Sequence, residues 1–198
     1  MDLKHPCRRV MAATLLSVAV VAAVAAQDTR RKPPEETLLG TRPVEWKLTH
    51  WTNGSPVDLK DLKGKVVLVR WWTAPGCSYC RVTAPALNEF HDAYQAQGLE
   101  VLGVYHHKLS TPLDPAAAWR QAREFGFKFP VAIDPQWRTL KKWWLEKGDT
   151  GFTSVSFLLD RQGVIRHIHP GGQYLKGDPD YLQLKSRIQQ LLAEPPGA

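Results

Sequence analysis

The chain has 198 residues, 43% of them hydrophobic and eight of them Trp, which is ample for one domain with a buried core. Its net charge is +7, of which Lys4, Arg8 and Arg9, less Asp2, supply +2 within residues 1–26, leaving a mildly basic remainder spread along the chain. No Lys/Arg stripe is interleaved with aromatic residues, so nucleic acid is not an expected partner.

Lys4, Arg8 and Arg9 form a positive n-region, and Val10 to Ala26 is apolar and ends in small residues. That is the pattern of an export signal cut after Ala25 or Ala26. The run is at the short edge for a membrane span, so an uncleaved N-terminal anchor is the alternative. Arg8-Arg9 has poor flanks for a twin-arginine signal, and no cysteine follows the apolar run to suggest a lipoprotein. The expected location is therefore exported, periplasmic or otherwise extracytoplasmic, with a membrane anchor as the variant. Residues 1–26 are read as signal or anchor, 27–42 as a flexible linker, 43–193 as the folded domain and 194–198 as a disordered tail. The linker reading rests on Arg30-Arg31-Lys32, Pro33-Pro34 and Glu35-Glu36.

From Pro43 to Gly64 the sequence predicts a short Trp-containing strand, a small hairpin at Asn53-Gly54 and one helical turn at Leu59 and Leu62. Lys65–Val69 is a β-branched run bounded by Gly64 and reads as a buried strand. Val82, Leu87, Phe90 and Tyr94 then recur at helical spacing, with Gly98 as a stop. Cys77-Ser78-Tyr79-Cys80 thus falls where a strand turns into a helix. The first turn of a helix has unpaired N–H groups and a partial positive charge, which favour a thiolate. Cys77 is expected to have a lowered pKa and to attack disulfides or peroxides, and Cys80 to close the ring. Zinc would need about two more ligands, and the mature chain has no other cysteine. Thiols this close in sequence close too short a loop to serve as a purely structural staple.

Leu99–His106 reads as a second buried strand, parallel to the first because a helix intervenes. Helix is predicted over Ala116–Phe125, strand over Phe129–Asp134, and helix over Pro135–Lys147. The last carries Trp137, Leu140, Trp144 and Leu145 on one side, with Trp143 flanking a face that could dock a partner. Val155–Asp160 and Val164–His169 read as an antiparallel pair with the second at the edge. Asp178-Pro179 opens a final helix whose Tyr181, Leu184, Ile188, Leu191 and Leu192 share one face.

This α/β order, with Cys-x-x-Cys at the first strand–helix junction, resembles the thioredoxin fold: a central mixed sheet flanked by helices, here with an N-terminal extension and an insertion. Leu59-x-x-Leu62-Lys-Gly-Lys-Val-Val-Leu-Val, the insertion before the third strand, and Phe157-Leu158-Leu159-Asp160-Arg-Gln-Gly163 are similar to the TlpA-like branch of exported thioredoxins and the related alkyl-hydroperoxide-reductase/thiol-antioxidant (AhpC/TSA) group, over about Pro43 to Leu192. Pro85 matches the proline of the thioredoxin helix. The resemblance implies thiol–disulfide exchange with client proteins, Cys77 as nucleophile and Cys80 as resolver. It implies an unidentified redox donor or acceptor as the second partner, and no cofactor or metal. Trp72, Pro75, Gly76, Ser78, Tyr79, Thr153 and Ser154 take the supporting and substrate-binding positions.

The sequence departs from that pattern at four places. Gly76 precedes Cys77 and Trp72 lies one residue further upstream than the family's Trp, which lengthens the turn by one residue. Ser154 falls on the family's cis-proline. A non-proline cis bond costs ~2.5–4 kcal/mol, so Thr153–Ser154 is expected trans, leaving Ser154 to offer its hydroxyl to the Cys77 sulfur. Thr83 stands where an acid often lies six residues after the first cysteine. Arg70 falls on thioredoxin's buried acid; a cation there favours a thiolate electrostatically and removes no proton. The general base is left unidentified, and the plainer reading of Arg70 is that it points away from the sulfurs and pairs elsewhere.

Two rival chemistries share the cysteines. Peroxiredoxins use Pro-x-x-x-Thr-x-x-Cys. Counting back from Cys77 those positions are Arg70 and Ala74, and from Cys80 they are Thr73 and Cys77, so a thiol peroxidase of the AhpC/TSA type is the enzymatic alternative without its motif. The non-enzyme alternative is a copper chaperone in which Cys77, Cys80 and one His hold Cu(I). His167 and His169 share one strand face and His106-His107 end another strand, on the opposite side of the central one.

Overall fold

The computed structural model describes residues 33–195; the signal or anchor, the start of the linker and residues 196–198 lie outside that range. In chain order the elements are α1 (Pro34–Leu38), β1 (Thr49–Thr52), a 3-10 turn (Leu59–Leu62), β2 (Val66–Trp72) and α2 (Ser78–Tyr94). They continue with β3 (Leu99–Tyr105), α3 (Pro115–Glu124), β4 (Val131–Ile133), a broken helical stretch from Pro135 to Leu145 that includes α4 (Arg138–Leu140), β5 (Ser156–Leu159), β6 (Ile165–His169) and α5 (Pro179–Ala193).

The six strands form one mixed sheet in the order β1-β4-β3-β2-β5-β6. β2 and β3 run parallel from Val66 opposite Leu99 to Trp72 opposite Tyr105, and β4 continues parallel to β3. β5 is antiparallel to β2, with Arg70 opposite Ser156, and β6 is antiparallel to β5. This is the thioredoxin topology that the sequence pattern implied. β2 is buried along its whole length, which is why Val66–Val69 reads as a continuous apolar run and not an alternation. Val66, Leu68 and Trp72 pack on the α2/α5 side with Leu87, Phe90, Leu184 and Ile188. Val67, Val69 and Trp71 pack on the other side with Trp46, Trp143, Trp144 and Phe157. Arg70 is the one charged residue in the strand.

α2 and α5 are clasped by Glu89. Its Oε1 accepts from the Tyr181 hydroxyl at 2.5 Å and from Lys185 Nζ at 3.3 Å, while Lys176 Nζ lies 2.9 Å from Oε2. Phe90 stacks on Tyr181 beneath it, ring centroids 5.1 Å apart. The Tyr181 hydrogen bond first, then Lys176, pulls the Glu89 carboxyl down to about 2. A depressed carboxyl stabilises the fold above its unfolded pKa, about 4.3, and that contribution is lost as pH falls toward the folded value. Glu89→Gln is therefore expected to cost about 1–2 kcal/mol at pH 7. The difference should shrink between about pH 4.5 and 2, as read by urea unfolding at stepped pH. A pH-independent difference would show that the clasp holds without the charge.

Four expectations are corrected. The stretch read as a flexible linker is folded from Pro33 on: Pro34 and Leu38 are buried, and the Gly40 N–H and Thr41 carbonyl pair with Ile165 at 2.9 Å each. That pairing covers the start of the open edge of β6 at Ile165, where exposed backbone groups would otherwise invite other strands. Asn53-Gly54 does not turn a hairpin, because β1 pairs antiparallel with the distant β4. Asn53 instead adopts a left-handed φ of 58° and donates from Nδ2 to the Phe127 carbonyl at 2.8 Å.

The predicted single helix over 135–147 is broken at Gln136 and Trp137, both left-handed, and Lys141–Leu145 winds as a π-helix. The cause is Asp134. Its Oδ1 takes the Thr139 N–H at 2.9 Å, and its Oδ2 takes the Leu140 N–H at 2.7 Å and the Trp71 indole N–H at 3.2 Å. The carboxylate thereby starts the helix at Arg138 rather than at Pro135. Fourth, Trp143 is 2% exposed and its indole N–H donates to the Val44 carbonyl at 2.9 Å, so it belongs to the core and the docking reading that rested on it falls.

Candidate active site

β2 delivers the chain to Thr73 and Ala74, the Ala74–Pro75 peptide is cis, and Gly76 turns with a φ of 89° before α2 begins. Cys77 is the N-cap of α2, its Sγ accepting the Cys80 N–H at 3.2 Å. Cys77 and Cys80 are joined in a disulfide with Cα atoms 5.3 Å apart. Cys77 is half-buried, while Cys80 is 2% exposed and packed into the core on the α2 side. The pair is therefore asymmetric: one sulfur is approachable from solvent, the other only through its partner. A thiolate formed at Cys77 would sit at the positive end of a 17-residue helix.

The expected neighbours divide into two groups. Pro75, Gly76, Ser78 and Tyr79 are exposed around the disulfide. Trp72 lies behind the turn, 1% exposed, with its ring 5.0 to 5.7 Å from those of Tyr105, Phe125 and Phe127. The Thr153 hydroxyl lies 2.9 Å from His106 Nε2. His106 is buried, and burial is the main cause that lowers its pKa to about 3, so it stays neutral. The Thr153–Ser154 peptide is trans, as expected of a non-proline bond. The Ser154 hydroxyl accepts the Gly172 N–H at 3.3 Å, and among the described residues it makes no bond to the Cys77 sulfur.

Arg70 is 1% exposed. It lies on the same face of β2 as Leu68 and Trp72, the face that carries Cys80. Nη1 donates to Ser156 Oγ at 3.2 Å, Nη2 to the Gly172 carbonyl at 2.7 Å, and the guanidinium sits 5.3 Å from the Tyr174 ring centre. No carboxylate pairs with it among the described residues. Burial lowers its pKa, opposed by Tyr174. Its hydrogen bonds go to Ser156 and Gly172, and among the described residues none goes to a cysteine sulfur. Thr83, buried in α2, accepts the Tyr174 N–H at 3.3 Å through its hydroxyl. The loop at Gly171–Tyr174 thus ties together Arg70, Thr83 and Ser154. The sequence reading passed over that loop, and the Gly171-Gly172 pair was its only signal.

Phe152 was missed as well. Its ring is 44% exposed and meets the 43%-exposed ring of Tyr79 edge-on, centroids 5.8 Å apart. Trp144 Nε1 holds the Phe152 carbonyl at 2.9 Å, and a Cβ on Gly171 would run into the Phe152 side chain. An exposed aromatic pair thus stands beside the disulfide. The histidines do not assemble around the thiols. His169 Nε2 faces Asp180 at 3.4 Å, and among the described residues no three His, Cys, Asp or Glu side chains are placed to hold a metal ion.

Residues 40–168 match the AhpC/TSA family. Among curated proteins the chain is 31% identical over 156 residues to protein DipZ of Mycobacterium bovis, covering 77% of this chain and 21% of that one, so it spans about a fifth of that relative's length. It is 26% identical over 144 residues to the thiol-disulfide oxidoreductase YkuV of Bacillus subtilis, covering 73% of this chain and 88% of that one. Among solved structures it is similar to a thiol-disulfide isomerase from Corynebacterium glutamicum, with a TM-score of 0.58 and 32% identity over 79% of this chain and 98% of the other.

Proposed function

We propose that this chain, which belongs to the AhpC/TSA family, is a thiol–disulfide oxidoreductase that exchanges disulfides with client proteins through Cys77 and Cys80. The observation that carries the reading is the bonded pair at the head of α2, half-buried Cys77 outermost and Cys80 sealed behind it. In the reducing direction a Cys77 thiolate attacks one sulfur of a client disulfide and expels the other as a thiolate. The Cys80 thiol, as thiolate, then attacks Cys77 Sγ, which releases the second client sulfur and restores the Cys77–Cys80 bond. Oxidation of a client is the same sequence reversed.

The TlpA-like character is supported by the Leu59-to-Val69 segment, the insertion and the signal pattern. Lys4, Arg8, Arg9 and the apolar run to Ala26 support export, or anchoring at the outer face of a membrane, and fractionation of cells expressing the full chain tests that. Three measurements on the purified protein discriminate the chemistry: a dithiol–disulfide redox titration, peroxide consumption, and Cu(I) binding with and without both thiols. Reversible two-electron cycling with slow peroxide turnover supports the proposal. Fast peroxide turnover would replace it with a peroxidase, and tight copper without exchange would replace it with a chaperone.

Tyr79 and Phe152 flank the sulfur that a client must reach, so a docked client covers them. Phe152→Ala is expected to lower kcat/KM for a protein disulfide by about 3- to 10-fold, the worth of one aromatic contact. Exchange with a small thiol such as dithiothreitol should stay unchanged. An equal loss on both substrates would mean that Phe152 shapes the disulfide instead of the client site.

A further inference from the structure

Tyr105, the last residue of β3, donates its hydroxyl to the carbonyl oxygen of Ala74 at 3.1 Å. Ala74 is 5% exposed and stands three residues ahead of Cys77, in the turn between β2 and α2. The same phenol oxygen lies 3.1 Å from Nδ1 of His107, and Nε2 of His107 lies 2.6 Å from the Thr111 carbonyl oxygen. Protons decide what this chain of contacts can do. A carbonyl only accepts, so Nε2 carries a hydrogen toward Thr111. The phenol has a single proton, which burial helps it to keep by raising its pKa.

With a neutral imidazole, protonated at Nε2, Nδ1 presents a lone pair to the phenol. Tyr105 must then choose between Nδ1 and Ala74. With an imidazolium, Nδ1–H donates to the phenol oxygen, and the phenol proton is free for the Ala74 carbonyl. All three bonds to Ala74, His107 and Thr111 are made together only when His107 is charged.

We propose that His107 is a positioning residue of the redox site which, through Tyr105, fastens the active-site turn to β3 when it is protonated and loosens it when it is not. The proposal rests on the exchange reading of Cys77 and Cys80. The surroundings suit a device of this kind. His107 is half-buried and lines a cavity of about 240 Å³ whose other wall includes Ala74 and Pro75 of the turn. From α3 and its cap, Asp114, Arg120 and Glu124 face the same cavity, and Lys108 follows His107 in the chain. Asp114 is engaged by the Ala116 N–H at 2.9 Å and by Arg120 at 3.5 Å, and Glu124 by Gln121 at 2.6 Å. Trp137 Nε1 donates to the His107 carbonyl at 2.8 Å, which fixes the backbone from which the ring pivots. Breaking the Cys77–Cys80 bond changes what holds the turn. Whichever redox form fits the fastened turn better must bind the His107 proton more tightly, and the proton must favour that form in return.

The test is the equilibrium constant of the full-length protein with glutathione buffers, measured from about pH 5 to 8, where imidazoles change charge. It is run on the wild type, His107→Gln, Tyr105→Phe and the double variant. The wild-type curve should depart from the variants by about 2- to 10-fold between the ends of the range, the worth of one hydrogen bond. The two single variants should superimpose, and the double should add nothing. Curves parallel at every pH with cycling intact would overturn the tether alone, as would a departure that survives in Tyr105→Phe. Failure of every protein to cycle would overturn the exchange reading and the tether with it. Imidazole nitrogen NMR gives a second readout: the neutral form of His107 must carry its proton on Nε2, and a proton on Nδ1 instead would overturn the proposal.

Discussion

Cys77→Ser is expected to abolish exchange altogether, whereas Cys80→Ser is expected to keep the first step and lose the second. The two cysteines are chemically alike and differ in placement. Cys77 is half-buried at the start of α2, within reach of a client sulfur, and Cys80 is 2% exposed behind it. A serine hydroxyl is not ionised near neutral pH, so the Cys77 variant has no nucleophile to offer. Buried Cys80 cannot take over the attack without the turn unfolding. In the Cys80 variant the nucleophile is intact and the resolving sulfur is missing, so a mixed disulfide persists. Insulin turbidity reads the loss of turnover, and non-reducing mass spectrometry reads the trapped adduct on Cys77. Residual turnover in Cys77→Ser at more than about a hundredth of wild type would show that Cys80 is reachable and that the asymmetry assigned here is wrong.

Much of the scaffold behind this result was legible in the sequence, and the reason is local. Val66–Val69 announces itself because a central strand covered on both faces is apolar on both, whereas Arg70 hides the strand's continuation to Trp72. α5 announces itself through Asp178, whose side chain accepts the Tyr181 N–H at 2.7 Å, and through Tyr181, Leu184, Ile188 and Leu191 buried along one stripe. Where the sequence misled, a distant partner had overridden a local rule. Asn53-Gly54 is a hairpin signal, yet the side chain of Asn53 is taken by a carbonyl 74 residues away. Pro33-Pro34 with flanking charges looks like linker, yet Leu38 packs on the far face of the sheet. Within the site, the cysteines and the exposed turn could be read from spacing, because a strand–turn–helix junction is a local fact. The bonds of Arg70 to Gly172, 102 residues on, and of Tyr105 to Ala74, 31 residues back, are made by the sheet and are invisible in any window of sequence.

Asp134→Ala is expected to cause a large loss of stability, about 3 kcal/mol or more. The carboxylate is 1% exposed and receives three donors: the N–H groups of Thr139 and Leu140 and the indole of Trp71. Removing it strands all three in a buried site, where an unpaired donor costs about 1–3 kcal/mol. It also frees Gln136 and Trp137 from the left-handed backbone that the cap supports, so the chain loses the reason to delay its helix until Arg138. Asp134→Asn should fall between the two. It keeps one acceptor oxygen and turns an amide N–H₂ toward donors, so at least one pairing is lost and one repulsive contact is made. Urea unfolding followed by Trp fluorescence measures the series directly, because Trp71 and Trp137 both report on this corner. An alanine variant within about 0.5 kcal/mol of wild type would mean that water replaces the carboxylate and that the break at Gln136 has another cause. The disulfide lies at the other end of these connections. Trp137 grips the His107 carbonyl, and His107 reaches the active-site turn through Tyr105. A weakened Asp134 corner should therefore loosen the pH dependence of exchange before it stops exchange itself, since neither Cys77 nor Cys80 touches that corner.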